Sequence, residues 1–289
     1  MPHSKAKHIS LYDKSFQETD LREYILSLEI GIHYILICLY HSGKRKVVGL
    51  EQVFYNEMQE TGQLSGQLDY ILKKNPWLTA SFRYFNLIYN NEISTLVPLP
   101  LFDEKEKASY LRFNQPGQAN HSTEYDILKN MQMANVYAMP ISLINKTVEV
   151  WPEVKFWHFS SVLIESLAIN YKNKSDNNTL FVNLRENIFD VVHFKEGKLN
   201  FYNAFRFRSK EDFIYFLLAV IEQLKLNPEE ANIILSGYIE KGDPNYEMLY
   251  RYIRHFEFIE RNETFQYSYV MDSLNLAAYY VPFNVIQCE

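Results

Sequence analysis

A pattern of strand-forming residues occurs twice in this chain, about 154 residues apart. Residues 29–44 (EIGIHYILICLYHSGK) align without a gap with residues 183–198 (NLRENIFDVVHFKEGK), and Gly43 falls on Gly197. In each copy, two apolar runs rich in β-branched and aromatic residues flank a short segment that contains glycine, which predicts a β-hairpin. A helix-like segment follows each hairpin. We therefore expect one α/β unit that has been duplicated.

The composition allows two hydrophobic cores and argues against several functions. A chain of 289 residues with 47% hydrophobic content is long enough for two domains. Its net charge is −6 and its longest basic block is the turn at 44–46, so nucleic-acid binding is not expected. No window approaches the roughly 18 uninterrupted apolar residues of a membrane span, and no signal-peptide core is present, so we expect a cytoplasmic protein. Cys38 and Cys288 suggest neither a disulfide framework nor a metal site.

Strand-like and helix-like segments alternate along the chain, which favours an α/β fold of mixed sheets flanked by helices. The first hairpin is predicted over about residues 24–54, with its turn at 42–46, and residues 9–12 can add an edge strand. Apolar residues at helical spacing predict a crossover helix over 62–74.

A polar run at 172–178 (KNKSDNN) interrupts the alternation of strands and helices. Such runs are typical of exposed linkers between domains. We therefore predict a first domain over residues 1–174 and a second domain over 175–289.

The duplicated unit, which opens with a hairpin and continues with helix-covered strands, resembles the superfamily of actin, the ATP-dependent heat-shock chaperones and the sugar kinases. This resemblance implies two ribonuclease-H-like domains that close on a nucleotide. Residues 137–167 look like the helix, strand and helix that close the first domain in cytoplasmic pilus-assembly and secretion relatives. More narrowly, the whole chain resembles a family of uncharacterised bacterial proteins, typical of Bacteroidetes, that is classed with actin-like ATPases.

The resemblance also implies where a nucleotide would bind. In the superfamily, the first turn of each hairpin carries an Asp-x-Gly phosphate loop, and a strand that ends in Gly-Gly touches the adenosine. The corresponding positions of this chain, which are our candidate nucleotide contacts, are Glu29, Gly31, Asn183, Arg185, Ser236, Gly237 and Tyr238.

These positions depart from what phosphoryl transfer requires, namely a carboxylate that holds Mg²⁺ and glycines that let backbone N–H groups approach phosphate. Glu29 and Gly31 retain both features in the first loop. Asn183 carries no charge, and Arg185 places a side chain where bare backbone is needed. Tyr238 replaces the second adenosine glycine and would project into the base site. We therefore predict no catalytic residues.

Several candidates also have structural explanations. Glu29 can sit in a strand that emerges at the end of its sheet, and Arg185 can belong to a turn held by local hydrogen bonds. Ser236 and Gly237 are also consistent with a strand-ending turn. The histidine spacings give no metal pair, so no metal site is predicted.

Three functions remain open. The leading hypothesis is a cytoplasmic interaction or scaffold protein that binds an unidentified protein partner and needs no cofactor. The alternative is a nucleotide-binding ATPase or kinase-like enzyme that uses Mg-ATP in the interdomain cleft, with Glu29 holding Mg²⁺. The third is a sensor of another small anion in that cleft.

Overall fold

The computed structural model of the protein describes residues 8–19, 21–55, 64–115, 117 and 119–288. Its strands are β1 (Ile9–Tyr12), β2 (Tyr24–Ile30), β3 (Tyr34–His41), β4 (Lys46–Phe54), β5 (Tyr84–Tyr89), β6 (Ser94–Pro98), β7 (His121–Leu128), β8 (Met133–Pro140), β9 (Lys155–His158), β10 (Thr179–Leu184), β11 (Ile188–Lys195), β12 (Lys198–Arg206), β13 (Asn232–Gly237), β14 (His255–Phe258) and β15 (Gln266–Tyr267). Its helices are α1 (Leu64–Lys74), α2 (Lys107–Asn114), α3 (Ile141–Val150), α4 (Phe159–Tyr171), α5 (Lys210–Gln223), α6 (Pro244–Tyr252) and α7 (Tyr280–Asn284).

The chain divides into two compact units. The second unit comprises Ser166–Asn262 and Leu274–Tyr280, and the first comprises the remaining described residues. Part of the C-terminal region, including β15, belongs to the first unit, because β15 pairs with β4 in a parallel arrangement. This division differs from domains at 1–174 and 175–289, and those bounds stay a prediction.

The main sheet of the first unit has the order β1-β4-β3-β2-β5-β9, with β15 also on β4. Strands β2, β3 and β4 are antiparallel neighbours, whereas β5 and β9 run parallel to β2. The predicted turn lies between β3 and β4, and the predicted edge strand is β1. The crossover helix is α1, while residues 62 and 63 of that prediction lie outside the described residues.

The sheet of the second unit repeats this topology. Its order is β12-β11-β10-β13-β14, which is the order of β4-β3-β2-β5-β9 in the first unit. Ile30 pairs with Ile35 across its hairpin, and Leu184, 154 residues later, pairs with Phe189. A register shift follows Leu39 in the first unit and the equivalent residue in the second. The duplication predicted from the sequence is therefore confirmed residue by residue.

A three-stranded sheet of order β6-β8-β7 is inserted between β5 and α3 of the first unit. Helix α2 covers one face of this sheet, and Leu111 packs there with Val97, Val136 and Ala138. The insertion therefore has a small apolar cluster of its own.

Each unit has its own hydrophobic core. In the first, Leu64, Leu68 and Ile71 of α1 pack against buried residues of β2, β3 and β5. In the second, the apolar stripe of α5 packs on β10, β11 and β13. A capping box formed by Ser209 and Asp212 begins α5, because each side chain accepts a hydrogen bond from the other residue's backbone N–H. None of the helices among the described residues has the length and apolar character needed to cross a bilayer.

Candidate functional site

Glu29 lies one residue before the end of β2 and is 2% exposed. Its Oε1 atom accepts a hydrogen bond from the hydroxyl of Tyr34, the first residue of β3. The Nδ2 atom of Asn90 lies 2.9 Å from the same oxygen and 2.7 Å from the Tyr34 hydroxyl. The first predicted loop therefore holds its carboxylate inside a hydrogen-bonded triad.

Gly31 occupies the turn between β2 and β3. Its N–H donates to the Tyr34 carbonyl at 3.0 Å. A Cβ atom at this position would lie 3.3 Å from Cε1 of the Tyr34 ring, so the missing side chain makes room for that ring. The glycine that resembles a phosphate-loop residue thus has a local structural role.

The second predicted loop is built around Asp190, a β11 residue that is fully buried. Nη2 of Arg185 lies 2.8 Å from Oδ1 of Asp190, and the Arg185 side chain is 7% exposed. The Tyr202 hydroxyl donates to the same oxygen at 3.1 Å. Asn183 Nδ2 donates to Oδ2 at 3.4 Å. A buried ion pair with neutral donors therefore occupies this turn.

The predicted adenosine turn joins the same network. Ser236, on β13, donates its hydroxyl to Asn183 Oδ1 at 2.9 Å. Gly237 has a φ of +84°, and a Cβ there would lie 2.0 Å from the Leu184 carbonyl oxygen. The N–H of half-buried Tyr238 donates to that carbonyl at 2.7 Å. Gly237 is therefore required by the close approach of two backbones.

Hydrogen bonds thus connect Asn183, Arg185 and Ser236 within the second unit, and Glu29 and Gly31 share Tyr34 in the first. Sequence reasoning missed Tyr34, Asn90 and the acceptor Asp190. Asp190 pairs with Asn183 across the hairpin, so the predicted hairpin register was a signal that could have found it.

A third buried polar cluster lies where β9 leads into α4. The His158 ring contacts the Ser160 hydroxyl at 2.7 Å through Nδ1 and the Asn91 side-chain oxygen at 2.7 Å through Nε2. The backbone N–H of His158 donates to Oδ2 of Asp126 at 2.8 Å. Burial raises the pKa of the Asp126 carboxyl to about 7, although the His158 N–H opposes this shift. No sequence motif pointed to this cluster.

No group of three His, Cys, Asp or Glu side chains within the described ranges is arranged to hold a metal ion. The carboxylates at the two predicted loops instead accept hydrogen bonds from neutral or cationic neighbours. The protein itself therefore supplies hydrogen-bond donors to both carboxylates.

A family model described as "Protein of unknown function (DUF3822)" matches residues 13–256. The chain belongs to this family. A similar solved structure is a Bacteroides thetaiotaomicron protein with an actin-like ATPase fold and unknown function, which is 22% identical with a TM-score of 0.76 over 92% of this chain and 98% of that chain. A chain of the PilM–PilN type IV pilus biogenesis complex is 13% identical, with a TM-score of 0.56 over 92% and 99%. The comparison with curated proteins gave no match.

These likenesses establish the fold of this family member. It is the actin-like ATPase fold, built from two ribonuclease-H-like units with mixed sheets flanked by helices. The predicted fold class and the predicted resemblance to a family of actin-like proteins of unknown function are confirmed.

Proposed function

We propose that this protein is a non-catalytic member of the actin-like ATPase fold and acts in the cytoplasm as an interaction or scaffold module. The observation that carries the proposal is the buried pair of Arg185 and Asp190 at the second predicted phosphate loop. A guanidinium fixed on an internal carboxylate fills the place that phosphate and metal would need.

The backbone donors of the loops support this proposal. A phosphate loop works by presenting unengaged N–H groups to phosphate oxygens. Here the N–H of Gly31 bonds the Tyr34 carbonyl, and the N–H of Arg185 bonds the Ile188 carbonyl at 2.7 Å. Each loop therefore uses one of its own donors to close its turn.

The carboxylate of the first loop is also occupied. Mg²⁺ is held by oxygen ligands at about 2.0–2.1 Å in near-octahedral geometry. Glu29 instead accepts from Tyr34 and Asn90. An incoming ion would have to displace these donors from a residue that is 2% exposed, which opposes binding.

The solved structures offer a parallel for a binding role. The PilM–PilN complex is a pilus biogenesis assembly in which a chain of this fold occurs. That assembly is a precedent for a binding role and leaves the partner of the present chain open.

Thermal unfolding with and without millimolar Mg-ATP tests the proposal. A ligand that binds only the folded state stabilises it by about 2.7 kcal/mol at one hundred times its Kd. We expect an unchanged Tm and no phosphate release. A Tm rise of several degrees that disappears in Glu29→Ala but persists in the control Glu149→Ala would refute the proposal. A rise with phosphate or sulfate but not with Mg-ATP would support an anion sensor instead.

A further inference from the structure

The outer edge of β12 is the feature that the proposed function leaves unused. In the first unit, the equivalent edge strand β4 is covered by β1 and β15 of the same chain. In the second unit, β11 is the sole neighbour of β12 among the described strands. The duplicated sheets therefore differ in whether this edge is covered.

The covered edge shows which residues of β12 would receive a strand. Gln52 of β4 pairs with Leu36, and Ala204 of β12 pairs with Asp190, which is the counterpart of Leu36 in the repeat. Ile9 of β1 lies opposite Gln52 in an antiparallel pairing. By this equivalence, an added strand would lie opposite Ala204.

The backbone direction at Ala204 suits such pairing. The Phe207 N–H bonds the Asn187 carbonyl, so Phe207 faces the β11 side. Successive backbone N–H groups along a strand point to alternate sides. The N–H of Ala204, three residues before Phe207, therefore points away from β11. Asn203 caps it through its own side-chain oxygen at 3.0 Å. The carbonyl of an incoming strand would replace the Asn203 side-chain oxygen as the acceptor.

An aromatic shelf borders the edge on the α5 side. The rings of Phe205 and Phe216 stack with centroids 5.7 Å apart, and Tyr215 contacts Phe216 at 5.5 Å. Tyr215 is 68% exposed. Apolar side chains of an added strand, alternating along one face, would cover these rings.

The edge is basic although the chain is acidic overall. Strand β12 carries Lys198 and Arg206 and no acidic residue, whereas the whole chain has a net charge of −6. Self-pairing of two β12 strands around Tyr202 would place Lys198 against Arg206 of the second copy, which is unfavourable. The basic side chains of β12 therefore favour an acidic partner, and gel filtration tests pairing with a second copy of this chain.

We propose that the β12 edge binds an extended, acidic segment of a partner protein as an additional antiparallel strand. Main-chain hydrogen bonds to the edge supply affinity, and alternating acidic and apolar side chains meet Arg206 and the aromatic shelf, respectively. This inference deepens the proposed interaction role and rests on it. Its evidence lies in the sheet edge, separate from the predicted phosphate loops.

The test uses a fluorescein-labelled ten-residue peptide of alternating Glu and Val, with binding to the full chain followed by anisotropy. We expect binding that Ala204→Pro weakens at least about tenfold, because proline removes the N–H while remaining tolerated on an edge strand. Asn203→Ala is expected to strengthen binding, since it uncaps that N–H. Circular dichroism melts of both variants check that the fold is retained.

Three controls decide between explanations. A Lys-Val peptide and an alternately N-methylated Glu-Val peptide are both expected to lose binding. Equal binding of either control, no binding of the Glu-Val peptide, or equal binding of a ten-nucleotide oligothymidylate would overturn the inference. A dimer in gel filtration that Ala204→Pro abolishes would assign the edge to self-association and overturn it too. The Mg-ATP melts report on the proposed function independently of these results.

Discussion

Removing the Arg185 side chain tests whether the second loop is a fixed internal ion pair. The Arg185 and Asp190 side chains are 7% and 0% exposed, and their charged atoms lie 2.8 Å apart. Breaking a buried pair by removing one partner costs about 3–5 kcal/mol of unfolding free energy. In Arg185→Met, Asp190 retains donors from Tyr202 and Asn183. We therefore expect the lower end, about 3 kcal/mol.

The assay combines urea unfolding with native-state hydrogen exchange on β10 and β11. Exchange localises the loss to the second unit, because a chain of two units need not unfold in one step. A double-mutant cycle adds Asp190→Leu and the double variant. The double variant is expected to be more stable than the summed single effects by about 2 kcal/mol, since an apolar pair leaves no buried charge.

The matched control is Arg208→Met, which removes an exposed arginine two residues beyond the end of β12. Its cost should stay within about 0.5 kcal/mol. Equal stabilities of Arg185→Met and this control, or strictly additive effects in the cycle, would show that the pair is not a coupled structural element. The proposed replacement of ligand charge by protein charge would then lose its main support.

Two further predictions concern the backbone and a buried acid. Gly237→Ala is expected to cost more than about 2 kcal/mol in urea unfolding, because its Cβ would clash with Leu184, whereas Gly66→Ala at an exposed position of helix α1 should not destabilise. Burial raises the Asp126 pKa to about 7, so its contribution to stability is complete below about pH 4 and is lost as pH rises through 7. The Tm of wild type minus the Tm of Asp126→Asn should therefore decrease as the pH is raised from 4 to 7. Tm curves that stay parallel over this range would contradict the raised pKa of Asp126.

Much of the architecture followed from local patterns. The repeat at 29–44 and 183–198 predicted two equivalent hairpins, and both are present with the same register. This worked because strand alternation and turn position are set by neighbouring residues. The resemblance to the actin superfamily placed the candidate loops at the ends of β2, β10 and β13, where the structure also has turns.

The contacts at these loops did not follow from the sequence. Arg185 was compatible with either anion recognition or a local turn, and the choice depended on Asp190, Tyr202 and their burial. Burial of a polar group is a property of the packed unit, because it depends on which elements cover it. Residue types at a loop therefore predict its possible chemistry but not its occupied hydrogen bonds.

The sequence by itself determined the duplicated strand pattern, the two apolar cores and the departures from a phosphate loop. Only the tertiary structure decided that β1 and β15 cover the β4 edge, whereas β12 has β11 as its sole neighbour among the described strands. It also decided that Arg185 is held by Asp190. The physical reason is range: strand propensity acts between neighbouring residues, whereas β15 reaches β4 from more than two hundred residues away through hydrogen bonds that form only in the folded chain.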